Sequence, residues 1–139
     1  MKRDQEFIRQ FLLEIEGADG TQFPHTDIII HDGKEVEVLP DGWDWKKNYH
    51  YELMKDAGWI VELEWRFPPS GETGIVAQKK FRLSNSAHDY IDAIRDEGIW
   101  NKTREIVQES GGNVTMEVIK KLAVGLLKNK IKQHTDIEI

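Results

Sequence analysis

At 139 residues the chain is long enough to bury a core without metal or disulfide staples, and it contains no Cys, which excludes a disulfide framework and thiolate chemistry. Its net charge of −6 argues against a surface covered in phosphate contacts, although only the contacting face of a nucleic-acid binder has to be basic. No apolar run reaches membrane-spanning length, and Met1-Lys2-Arg3-Asp4-Gln5-Glu6 leads into an amphipathic segment rather than a secretory signal, so the expected compartment is the cytoplasm.

Phe7, Ile8, Phe11, Leu12 and Ile15 recur at helical spacing and predict a helix over residues 4–16, ended by Gly17. Residues 21–43 have no helical period. Asp27-Ile28-Ile29-Ile30 and Glu35-Val36-Glu37-Val38 flank Asp32-Gly33, which predicts a β-hairpin with a tight turn. Asp44 is a candidate N-cap for a helix over 44–57, in which Leu53, Met54 and Ala57 share a face, and Gly58 supplies its stop.

From Trp59 the period changes to two. Trp59, Val61, Leu63, Trp65 and Phe67 alternate with Ile60, Glu62, Glu64 and Arg66, and a second strand spans 75–83. A loop centred on Gly71 would place Trp65 opposite Ala77 and Val61 opposite Phe81 on the inner face, with Glu62 opposite Lys80 and Ile60 opposite Arg82 outside. Ser86 is then the expected cap of a helix over 87–97. Asp89, Asp92 and Asp96 share one of its faces, which reads as an acidic solvent face rather than a metal site, and Arg95 is within helical reach of Asp92. Gly98 should break this helix and Asn101 should cap a short one, ending at Ser110-Gly111-Gly112. The strongest amphipathic stripe, Val118, Ile119, Leu122, Ala123, Leu126, Leu127 and Ile131, predicts a last helix from about Thr115 to Lys132. The expected fold class is α+β: a winged-helix-like core of helix, hairpin excursion, central helix and two-stranded wing, followed by three C-terminal helices. It forms one domain over 1–132, with a flexible tail at 133–139.

Chemistry-bearing residues are few. Lys46, Lys47, Asn48, Tyr51 and Lys55 on the central helix, with Arg66 in the wing, are the groups that could reach the phosphates and base edges of double-stranded DNA. The alternative is a protein-interaction module on the same scaffold, for which Trp43, Trp45 and Trp59 are candidate aromatic anchors. The stripe of the last helix offers either core packing or a homodimer contact. His25, Asp27 and His31 match no metal-site spacing, and His50 reads as a packing or hydrogen-bonding residue. A phosphate-binding glycine loop, a His-Glu-x-x-His motif and a recognisable nucleophile setting are all missing, so no enzyme activity, catalytic residue, cofactor or metal is expected.

Leu83-Ser84-Asn85-Ser86-Ala87-His88-Asp89-Tyr90-Ile91-Asp92-Ala93-Ile94-Arg95-Asp96 is the most specific stretch of the chain. With Trp100-Asn101-Lys102, Gly111-Gly112-Asn113, Val118-Ile119-Lys120-Lys121-Leu122-Ala123, the opening Met1-Lys2-Arg3-Asp4, Tyr49-His50 and Ala57-Gly58, it resembles a family of small bacterial and prophage proteins catalogued as a domain of unknown function. The likeness covers residues 1–16 and about 49–131, and the 21–43 excursion departs from the shorter family pattern. What it implies is a winged-helix-like core with helical tail, a phage or mobile-element setting and a link to regulation; it carries no catalytic residues.

Overall fold

The first helix begins where Asp4 can cap it. The Asp4 carboxylate accepts the Phe7 N–H at 3.0 Å, and α1 runs over Gln5–Gly17 with Ile8, Phe11, Leu12 and Ile15 buried along one stripe. A computed structural model of the chain describes residues 2–17, 25–40, 42–68, 74–112 and 114–135. It divides into two compact units, Met1–Ser84 and Asn85–Ile139.

In the first unit, β1 (His25–His31) and β2 (Lys34–Val38) form the expected hairpin. Asp32 and Gly33 both have positive φ, at 51° and 75°, the signature of a tight turn that follows the twist of its strands. Helix α2 (Trp45–Asp56) is capped by Asp44, whose carboxylate accepts the Lys47 N–H at 2.8 Å. Gly58, at φ 78°, closes α2: its N–H donates to the Lys55 carbonyl and that of Trp59 to the Met54 carbonyl. The buried face of α2 is His50, Tyr51 and Met54, whereas Ala57 is exposed, contrary to its expected place beside Met54.

Strands β3 (Ile60–Arg66) and β4 (Ile75–Leu83) pair antiparallel, but not in the expected register. Trp65 lies opposite Gln78, Val61 opposite Arg82, Glu62 opposite Phe81 and Ile60 opposite Leu83, one residue away from a pairing centred on Gly71. A one-residue slip exchanges the two faces of a strand pair. The covered face therefore carries Ile60, Ala77, Phe81 and Leu83, all buried, and the opposite face carries Leu63, Trp65 and Phe67, all exposed. The two hairpins join through β1 and β4 into one antiparallel sheet in the order β2-β1-β4-β3, with a bulge between Ile28 and Ile29. The class is α+β, and β4 lies inside the sheet rather than in a free two-stranded ribbon. Phe11 of α1, Trp43, Tyr51 of α2 and Phe81 of β4 pack ring against ring on the covered side, with centroids 5.0–5.9 Å apart.

The second unit is helical. α3 (Asn85–Ile94), α4 (Glu97–Glu109) and α5 (Met116–Thr135) pack on one another, with Tyr90, Ile91, Ile94, Trp100, Thr103, Ile119 and Ala123 among the buried residues. Ser86 lies inside α3, not at its cap, and its hydroxyl accepts from Lys120 Nζ at 2.7 Å. Gly98 does not break a helix: the break falls at Arg95-Asp96, because the Asp96 carboxylate accepts the Ile99 N–H at 3.0 Å and starts α4 there, in place of Asn101. Asp96 also pairs with Lys130 of α5, and Arg95 lies 3.5 Å from Asp92, the expected helix-face pair. Residues 133–135, expected in the tail, continue α5. Among the described residues no group of His, Asp and Glu has metal-site geometry, and no helix is long and apolar enough to cross a membrane.

Candidate interaction site

The residues expected to meet duplex DNA all lie in the first unit, and each charged one has a carboxylate partner. Lys46 is 3.0 Å from Asp4 and lies over the Phe7 ring. Lys47 is 3.0 Å from Glu14 and lies over the Phe11 ring. Lys55 is 3.3 Å from Glu62. Arg66 holds Glu35 through two hydrogen bonds, of 2.7 and 3.0 Å, and stands 3.6 Å from Glu64. Tyr51 is buried, with its hydroxyl donating to Glu62. Asn48 is half-buried and lines a cleft of about 100 Å³ between α2 and the sheet, together with Tyr51, Lys55, Glu62, Glu37 and Lys79.

The electrostatics of that cleft are those of a closed network. Burial, and then the Glu62 carboxylate, push the Tyr51 hydroxyl far above the usual phenol range, so it stays protonated and donates. Burial alone would raise Glu62, but the Tyr51 hydrogen bond and the Lys55 charge outweigh it and hold that carboxyl below its ordinary value. Lys79 is raised by its hydrogen bond to Glu37. These groups satisfy one another, and the arrangement orders the sheet against α2.

The register gathers a different set of residues on the outer face. Val61, Leu63 and Trp65 of β3, and Phe67 just past its end, share it with Arg82, Lys80 and Gln78 of β4, Asp27 and Ile29 of β1, and Val38 and Val36 of β2. Leu63, Trp65 and Phe67 are 49%, 47% and 44% exposed, and Val36 and Val38 are 41% and 44% exposed. Lys80 Nζ lies 5.5 Å from the centre of the Trp65 ring, and Asp27 accepts from the Gln78 amide at 2.8 Å. All four strand glutamates, Glu35, Glu37, Glu62 and Glu64, fall on the opposite, helix-covered face. The outer face thus carries exposed apolar and aromatic side chains on its two outermost strands, with Arg82, Lys80, Gln78 and Asp27 on the strands between them.

Sequence reasoning placed Leu63, Trp65 and Phe67 in the core and missed this surface. The available signal was the other half of the alternation: Glu62, Glu64 and Arg66 have charge partners on α2 and across the sheet, so the charged side could face the helices. Of the tryptophans proposed as anchors, Trp59 is buried, Trp43 belongs to the aromatic cluster, and Trp45 alone is open, at 84% exposure.

Residues 2–113 match a protein family described as "Hypothetical protein (DUF2513)". An uncharacterized protein of Haemophilus influenzae is 22% identical over 135 residues, covering 94% of this chain and 99% of its own. No solved structure matches.

Proposed function

We propose that this chain, which belongs to the DUF2513 family, is a protein-interaction module that docks another polypeptide on the outer face of its sheet. The observation that carries this reading is the exposure of Leu63, Trp65 and Phe67 together along one edge of the sheet, with Val36 and Val38 exposed on the same face at the opposite edge. An exposed apolar row rich in aromatics, with cations on the neighbouring strand, has the composition of an interface core. Duplex binding through α2 draws less support, because Lys46, Lys47, Lys55 and Arg66 are each already paired with a carboxylate. Transcription regulation and a phage setting rest on resemblance alone, and no residue is given a catalytic role.

The test compares two variants of the full chain. Leu63→Ser with Phe67→Ser should abolish recovery of a partner that the wild type retains from cells carrying the gene, while Lys46→Ala with Lys47→Ala should leave it unchanged. Duplex binding that falls steeply with salt and is lost in the lysine variant would overturn this reading in favour of DNA.

A further inference from the structure

We infer that two copies of this chain pair antiparallel through the free edges of their β3 strands, centred on Trp65. This goes beyond the docking face: it uses the strand's backbone edge, and it can hold whether or not another protein sits on the open face.

The two outermost strands of the sheet are β2 and β3. An outer strand presents a row of backbone donors and acceptors that template another strand, unless the sequence defends against it. β2 is defended. Pairing Lys34-Glu35-Val36-Glu37-Val38 antiparallel with itself about Glu35, Val36 or Glu37 sets glutamate against glutamate every time. Like charges directly opposite are unfavourable.

β3 behaves differently in one register. Centring Leu63-Glu64-Trp65-Arg66-Phe67 on Trp65 places Leu63 opposite Phe67 of the second copy, Trp65 opposite Trp65, and Glu64 opposite Arg66. The two-fold axis repeats each unlike pair. One face receives apolar and aromatic cross-strand pairs, and the other receives two opposite-charge pairs. The neighbouring registers are worse. Centring on Glu64 or Arg66 sets that residue against itself, and centring on Leu63 sets Glu62 against Glu64 twice.

The backbone phase agrees with this register. Phe67 N–H donates to the Val76 carbonyl at 2.9 Å, and the Trp59 carbonyl accepts from Ser84 N–H at 2.9 Å, so the odd-numbered residues of β3 face β4. The N–H and C=O groups of Glu62, Glu64 and Arg66 therefore point to the free edge. Glu64 and Arg66 of the second copy then form a hydrogen-bonded pair, and Trp65 meets Trp65 in the closer, non-hydrogen-bonded pair. Pro68 offers no N–H and ends the ladder one residue past Phe67. The side chains are accessible, with Glu64 and Arg66 40% and 56% exposed, and Arg66 would add the second copy's Glu64 to the Glu35 it already holds. The pairing would make one continuous sheet from two copies and unite their apolar outer faces.

Sedimentation equilibrium of the full chain tests this, with amide exchange as a second readout. The wild type should show a concentration-dependent dimer in which the Glu64 and Arg66 amides slow as dimer forms. Glu64→Arg or Arg66→Glu alone should weaken it about tenfold, by setting like charges opposite twice. Glu64→Arg combined with Arg66→Glu should restore it, because the unlike pairs return in reversed order. Circular dichroism confirms that each variant is folded, and Trp65→Lys provides an independent disruption. A wild-type monomer at all concentrations overturns the inference. So does a dimer indifferent to Trp65→Lys, a double reversal that fails to restore pairing, or a dimer dissolved by Leu126→Glu on α5 in place of the β3 variants.

Discussion

His50 ties the start of α1 to α2, and removing its ring nitrogens should cost a measurable part of the stability of the first unit. The side chain is fully buried. Its Nε2 accepts the Asp4 N–H at 2.9 Å and its Nδ1 lies 2.7 Å from the Lys46 carbonyl, so Nδ1 is the donor and Nε2 the acceptor. The Phe7 ring packs on it at 4.7 Å. His50→Phe keeps an aromatic ring but deprives the Asp4 amide of its acceptor; the Lys46 carbonyl still belongs to the helical ladder. A fully buried orphaned donor costs about 1–3 kcal/mol, and this part-buried one should fall at the lower end of that range. His50→Ala adds a void, for a total of about 3–5 kcal/mol. Urea unfolding of both variants, with amide exchange at Phe7 and neighbouring residues of α1, separates the two contributions. If His50→Phe unfolds within about 0.5 kcal/mol of the wild type, the hydrogen-bonded link carries no stability.

Two further predictions concern carboxylates. The Phe7 N–H and then the Lys46 ammonium hold Asp4 below its ordinary value of 3.8, so its folded-state pKa lies below the unfolded one. Its contribution is therefore complete above the unfolded value and is lost as pH falls through the folded one; Asp4→Asn should flatten the acid limb of a stability–pH profile, and an unchanged limb would contradict the assignment. Tyr51→Phe removes the strongest opposition to the burial of Glu62, so the Glu62 carboxyl should titrate higher than in the wild type by carboxyl-carbon NMR. No upward shift would mean that Lys55 and Lys79 hold it down without the tyrosine.

Local chemistry was legible in the sequence wherever a single residue decides a conformation. Asp32-Gly33 takes the positive φ its hairpin needs, Asp44 caps α2, and Gly58 ends it. Long-range features were not. The β3–β4 register depends on where the link between the strands is centred, residues 69–73 of which lie outside the described residues, and an error of one residue turned a core stripe into a surface. The cation partners were equally hidden: Lys46 and Asp4 are 42 residues apart, Lys47 and Glu14 33, and Arg66 and Glu35 31. Spacing on one helix counts neighbours along that helix and is blind to a carboxylate delivered by another element. At Gly98 a second local signal prevailed, since the Asp96 cap tolerates glycine in the first turn of α4.

The Arg66–Glu35 contact straps the sheet across its full width. Arg66 is on β3 and Glu35 on β2, the opposite outermost strands. Three interstrand steps separate those backbones by about 14 Å, a gap that the two side chains close by meeting at 2.7 Å on the helix-covered side. The pair is thus a strap between two strands that share no backbone hydrogen bond, and it lies on the side away from Leu63, Trp65 and Phe67.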